Sequence, residues 1–196
     1  VVPLGKFSIF RAQIITKESM KLTNPEMIRA VTRKWEGDRD ASGRPLVSDD
    51  ILERMKLVTT EEAWGTCRRN GYSLQFAGNW MNLHPDRVIV GRAVTCRWVP
   101  IRPDINDSIE KQGEEDGRVG GQNSWVIDEL EHGDLIVVDL FGKIYDGTFA
   151  GDNLATAIKS RSGTGMVIDG GIRDTQRILE MDGFNAFIRG VDPSAI

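Results

Sequence analysis

Gly151-Asp152-Asn153-Leu154, followed across one helix and one strand by Gly170-Gly171-Ile172-Arg173-Asp174, is the stretch on which the fold turns. Leu154 to Arg161 carries Leu154, Ala157 and Ile158 at helical spacing, and Gly163-Thr164-Gly165 breaks that helix. Met166 to Ile168 reads as a short buried strand, after which Gly170-Gly171 turns the chain. Thr175 to Met181 is helical again, Asp182-Gly183 ends it, and Phe184 to Ile188 returns as a strand. The result is a β-α-β-α-β run, whose parallel crossovers should be right-handed. Both halves of the quoted stretch lie where a strand gives way to a loop and a helix, the usual ligand position of open α/β folds.

Upstream, Asp134 to Leu140 predicts a strand buried on both apolar faces, and Ile144 to Ala150 a second extended piece. Ser124 to Glu131 is a short helix closed by Gly133. Pro100 to Gly121 is polar, Gly-rich and without periodicity, and reads as a solvated loop. Its Glu114-Glu115-Asp116 run is read as solvated charge rather than as metal ligands. Val88 to Val99 is β-branched and aromatic enough for a strand, although Gly91 and two arginines interrupt it. The first seventy residues are helical. Asn24 caps a helix with Pro25 at its first position, Ser48 caps a second, and Thr59-Thr60-Glu61-Glu62 resembles a capping box for a third that Asn70-Gly71 ends. This divides the chain into a helical extension, residues 1–75, and an α/β domain, residues 76–196. The extension carries no evident chemistry and is expected to pack on the core or on a neighbouring subunit.

Composition sets looser bounds. With 196 residues, 40% apolar and 28% charged, the chain suits one globular domain with an appendage. A net charge of −4 argues against a nucleic-acid partner, which needs a basic face. Cys67 and Cys96 make neither a disulfide framework nor a metal-ligand spacing, and read as two buried thiols. No apolar run approaches a membrane span and no signal-peptide core is visible, so no membrane association and a cytoplasmic location are expected. The start at Val1 and the end at Pro193-Ser194-Ala195-Ile196 suggest that both ends are incomplete.

The chemistry lies in the quoted stretch. The first N–H groups of a helix have no intrahelical partner, and the helix dipole adds positive potential, so a carboxylate or phosphate is well placed near Asn153. Gly151 lets the backbone approach closely. The plainer reading is that Asp152 or Asn153 simply caps the helix. Arg173 and Asp174 follow two glycines after a buried strand, so both should project from that strand's C-terminal edge. They could be a structural ion pair, or Asp174 a cap. Alternatively Asp174 could bind a hard divalent cation with water completing the shell, while Arg173 holds ligand oxygens.

Gly151 and Arg173 are twenty-two positions apart, with Asp174 next. This glycine-led, Arg-Asp-closed pattern resembles that of the family containing 4-hydroxy-4-methyl-2-oxoglutarate aldolases and the regulator of ribonuclease activity A. The resemblance extends over roughly residues 88–191 and includes Gly91-Arg92-Ala93-Val94-Thr95 and the Gly133 to Asp139 strand. It implies a β/β/α sandwich of the swivelling-domain type, assembled as a homotrimer or hexamer with sites between subunits. It also implies that Gly151, Asp152, Asn153 and Leu154 hold the carboxylate of a pyruvoyl group through backbone N–H groups. Asp174 would ligate Mg²⁺ or Mn²⁺, that metal would take the 2-keto oxygen, and Arg173 would contact the same oxygen. Asp152 would help to position a water as base. The activity implied is retro-aldol cleavage of a 2-keto acid such as 4-hydroxy-4-methyl-2-oxoglutarate, or decarboxylation of oxaloacetate, releasing pyruvate. The resemblance further implies an acidic residue from a neighbouring subunit's segment beyond the position of Ile196, a role for which this sequence supplies no residue.

The competing expectation is a regulator that acts by binding a ribonuclease or another protein. A methyltransferase is not expected, because no Gly-rich S-adenosylmethionine loop followed by an acidic strand end is present. His84 and His132 read as surface or capping residues. Trp35, Trp64 and Trp98 read as core, whereas Trp80 and Trp125 are uncommitted, Trp80 as a possible intersubunit contact. Tyr145 is within sequence reach of the Gly151 loop.

Overall fold

The computed structural model describes residues 20–194, so the two chain ends read above lie outside the described residues. Three short helices come first: α1 (Pro25–Val31), α2 (Asp49–Met55) and α3 (Thr60–Arg69). The expected caps form in each. Asn24 Oδ1 accepts from the amides of Glu26 and Met27, Ser48 from Ile51, and Thr59 and Glu62 close a reciprocal capping box. The remainder runs β1 (Met81–Asn82), β2 (Arg92–Arg97), α4 (Pro103–Glu115), α5 (Gln122–Asp128), β3 (Asp134–Ala150), α6 (Asp152–Ser162), β4 (Met166–Ile172), α7 (Thr175–Leu179) and β5 (Ala186–Val191).

The strands form one five-stranded sheet in the order β1-β5-β4-β3-β2. β2, β3, β4 and β5 are mutually parallel and β1 closes the edge antiparallel to β5. The α/β class, the parallel βαβ units and the helical N-terminal extension are therefore as expected. The core lies on one side of the sheet, where Ile136, Val138, Met166, Ile168, Ala186 and Ile188 meet Ile158 of α6 and Ile178 of α7. Every fully buried apolar side chain among the described residues falls between Trp125 and Ile188.

Several expectations are corrected. Residues 100–121 are not a loop: they contain α4, started by Pro103. Gly113, one of the glycines that make this stretch look like a loop, is a packing notch. A Cβ there would lie 2.5 Å from Trp125 Cζ2, so α4 can approach Trp125 only through glycine. Trp125 is thereby a core residue, 2% exposed. Trp98 packs against Phe149 as expected, with ring centroids 5.9 Å apart. Trp64, by contrast, is exposed with Arg68 over its ring, and Trp35 is half-buried with its indole N–H donated to the Asp38 carbonyl. Trp64 lies on α3, which buries no residue, and Trp35 lies in the loop after α1. Trp80 carries the Arg189 guanidinium 3.7 Å from its ring centre. Cys67 is exposed and Cys96 half-buried, because α3 buries no residue and β2 is an edge strand.

β3 is less uniformly buried than its composition suggests. Its first seven residues alternate between buried and half-buried, the second face being only partly covered. Its pairing with β4 shifts register after Asp139, where Phe141 and Gly142 both take positive φ. The two extended pieces read from the sequence are the two sides of this irregularity. β2 begins only at Arg92, which pairs with Asp134 at the start of β3, and β5 begins at Ala186 rather than Phe184.

Candidate functional site

The C-terminal ends of β3 and β4 lie side by side, with Ala150 paired to Ile172. The Arg173 amide donates to the Ala150 carbonyl at 3.0 Å, which draws the two loops together. Gly151 occupies the N-cap position of α6 in extended conformation and is fully buried. A Cβ on it would collide with Asp174 Oδ2 and lie 2.9 Å from Arg173 Nε. The expected convergence of Gly151, Arg173 and Asp174 is present, and it requires glycine at its centre.

Asp174 takes the N-cap position of α7 but does not cap it, for no side-chain cap hydrogen bond forms there. Its backbone sits in the left-handed region, φ 56° and ψ 35°, which a non-glycine residue visits rarely and Asp or Asn most readily. The carboxylate is instead 3.3 Å from Arg173 Nε, and both side chains are partly open to solvent. Arg173 Nη1 also donates to the Ser194 carbonyl at 3.2 Å, and the Thr148 hydroxyl donates to the same oxygen. The Ser194 amide in turn donates to Asp192, and that Ser194 hydrogen bonding holds the Asp192 carboxyl below its ordinary range. The chain's last described turn is thus fastened to the site.

At the α6 start the arrangement is more occupied than the sequence suggests. Asp152 stands at the first helical position, and its Oδ1 accepts the Asn153 amide at 2.9 Å. Its Oδ2 lies 3.4 Å from Nη1 of Arg177 on α7. Asp152 is therefore engaged at both oxygens, and one of the amides expected to face a ligand is competed for internally. The Asn153 side chain is exposed, whereas that of Leu154 packs against the core, so Leu154 can contribute only backbone. Arg177 was not singled out from the sequence. The only signal for it is its spacing three residues beyond Asp174, which places it in the first turn of α7.

The donor set suits a hard cation that keeps much of its water. Two carboxylates, Asp174 and Asp152, flank Gly151, and no group of three or more His, Cys, Asp or Glu side chains is gathered for a metal among the described residues. Asp174 spends its carboxylate neither on its own helix nor in a buried ion pair, which leaves oxygen for such a cation. The other candidates are elsewhere. The backbone N–H of His84 donates to the side chain of Asn185 just before β5, and His132 precedes β3, so both sit at the opposite end of the strands. Tyr145 is largely exposed.

Residues 47–195 match the RraA-like family, described as Aldolase/RraA, over well more than half of the chain. The chain belongs to the RraA-like family. The matched span includes α2 and α3, and so begins earlier than the residues that carry the motif resemblance. Solved structures share this RraA-like fold. A Streptomyces coelicolor protein, RraAS2, described as an unusual member of the RNase ES inhibitor RraA protein family, is 23% identical with a TM-score of 0.61 over 76% of this chain and 67% of its own. An uncharacterised protein from Pseudomonas syringae pv. tomato is 20% identical with a TM-score of 0.56, over 76% of this chain and 60% of its own. A structure described as that of novel cellulases from gut-associated microbes is 21% identical with a TM-score of 0.58, over 86% and 69%. At these identities the likeness concerns the fold. Among the described residues no helix is long and apolar enough to cross a membrane.

Proposed function

We propose that this chain is a divalent-metal-dependent carbon–carbon lyase acting on a 2-keto acid and releasing pyruvate. The observation that carries this reading is the closure of Gly151 onto Arg173 and Asp174, at a place where a Cβ would fill the space between them. The backbone amides at the start of α6 bind the substrate carboxylate, assisted by the helix dipole. Arg173, tethered by the Ser194 carbonyl, donates to the 2-keto oxygen. As the C3–C4 bond breaks, its electron pair moves into the C2–C3 bond and negative charge grows on that oxygen. A fixed guanidinium then stabilises the transition state more than the ground state. With oxaloacetate the departing group is CO₂, and C3 takes a proton from water to give pyruvate. With a 4-hydroxy substrate the C4 hydroxyl must lose its proton, and Asp152 positions the water that removes it. Asp174, with Asp152 nearby, would hold Mg²⁺ or Mn²⁺, which would supply Lewis acidity.

A ribonuclease-binding regulator is the second reading, favoured by the fold shared with the Streptomyces protein. In either case a homotrimer or hexamer is the assembly we propose. The deciding experiment measures pyruvate release from oxaloacetate and from 4-hydroxy-4-methyl-2-oxoglutarate, with Mg²⁺ and then with EDTA. Metal-dependent release is expected, with Asp174→Ala lowering kcat by about 10²–10³-fold or more. Wild-type rates in that variant would overturn the metal assignment. No release from either compound, with capture of a ribonuclease, would favour the regulator.

A further inference from the structure

We propose that Thr148 is a positioning residue for Arg173, acting through the Ser194 carbonyl oxygen to which both side chains donate. The inference rests on the reading of the site given above and adds to it a residue that touches neither ligand nor metal.

The proposed reaction asks Arg173 to meet a growing charge at a fixed place, yet its side chain is partly open to solvent and has few anchors. Its Nε lies 3.3 Å from Asp174 Oδ2, and its Nη1 donates to the Ser194 carbonyl at 3.2 Å. In the proposed reaction the Asp174 carboxylate is committed to the cation. The neutral carbonyl is then the anchor that remains, and it can orient the guanidinium only if it is itself held still.

Thr148 supplies that restraint. Its hydroxyl donates to the same oxygen, so both lone pairs of the Ser194 carbonyl are engaged. Thr148 is 3% exposed and stands on β3 opposite Gly171, two positions before Arg173. A β-branched side chain has few rotamers, which keeps the hydroxyl aimed. The Ser194 turn is fixed from its other side as well. The Ser194 amide donates to Asp192 Oδ1 at 3.0 Å, and the Asp192 amide donates to the Ile172 carbonyl at 3.1 Å. The ends of β3, β4 and β5 therefore converge on one oxygen. Of the two side chains that donate to it, Thr148 is enclosed and Arg173 alone is open to a ligand. A guanidinium freed to wander loses contact with the transition state more than with the substrate, whose carboxylate is bound by the α6 amides.

The test measures oxaloacetate turnover with Mg²⁺ in wild type, in Thr148→Val, which keeps the shape and removes the hydroxyl, and in Thr148→Ser, which keeps the hydroxyl. Thr148→Val should lower kcat about tenfold with KM changed less than twofold, and Thr148→Ser should recover most of that loss. A second readout, independent of turnover, is titration calorimetry with oxalate in the presence of Mg²⁺, because oxalate is a planar anion shaped like the enolate of pyruvate. Thr148→Val should weaken oxalate binding about tenfold. A wild-type kcat in Thr148→Val would overturn the proposal, and so would equal losses in the Val and Ser variants, which would trace the effect to packing. If Thr148→Val does not fold, Asp192→Ala, which releases the Ser194 amide, decides: a selective loss of kcat supports the proposal and an unchanged kcat overturns it. Oxalate binding that weakens in Thr148→Val while wild type turns over no keto acid would support the positioning role and refute the lyase reading. Neither turnover nor oxalate binding in wild type would overturn both.

Discussion

The segment from β3 to β5 and the segment from α1 to α3 are built on opposite terms. In the first, five consecutive elements share one interior, and residues such as Ile136, Ile158, Ile168 and Ile178 are wholly buried. In the second, three well-capped helices bury no residue at all, and Met27, Val31, Met55, Leu57 and Trp64 are exposed. Capping and packing are evidently separable. Good termini are enough to define where a short helix begins, but isolated helices of this length are marginal in water without an apolar partner. The N-terminal part is held to the sheet instead by a few polar anchors. Arg44 grips the buried Asp134 carboxylate through both guanidinium nitrogens, and Arg92 Nε reaches the Val47 carbonyl at 2.8 Å.

This contrast can be broken most directly by truncating one side chain in each region. Ile168→Ala should cost about 2–5 kcal/mol, while Val31→Ala should stay within about 0.5 kcal/mol, both read from denaturant melts. Comparable losses would show that the helices share the sheet's interior after all. A finer cut tests where the packed region begins. Gly113→Ala forces a methyl into the Trp125 ring, and a loss of about 1–3 kcal/mol is expected. A neutral result would mean that α4 rides on the surface as α1 does. The smallest effect is chemical. Burial pushes the Cys96 thiol upward, whereas Cys67 stands exposed on α3. Iodoacetamide at neutral pH should therefore label Cys67 first, as read by peptide mass mapping; faster labelling of Cys96 would put the edge strand, not the helices, in the open.

The same contrast explains what could be read from residue order. From Asp134 onward, apolar runs, helical spacing and glycine punctuation all agree, so the strands and helices fall near their expected places. Caps in the first seventy residues were equally legible because each involves residues within four positions. α4 was not, since its polar face and Gly113 resemble loop text, and the reason for that glycine is a ring twelve residues later. The Gly151 to Asp174 closure was legible only through its spacing. Arg177 and Ser194 were not, because a lone arginine or serine on a surface turn carries no periodic signal, and each matters through a contact at least twenty residues distant.

The left-handed backbone of Asp174 also bears on how such a site changes over evolutionary time. Only Asp, Asn and Gly enter that conformation at little cost. A descendant can therefore discard the carboxylate and keep the turn by a change to Asn, which one nucleotide accomplishes. Under the metal-binding role proposed for Asp174, loss of that role and preservation of shape are a single mutational step apart, so a lineage released from it would be expected to drift to Asn at this position before it altered the sheet.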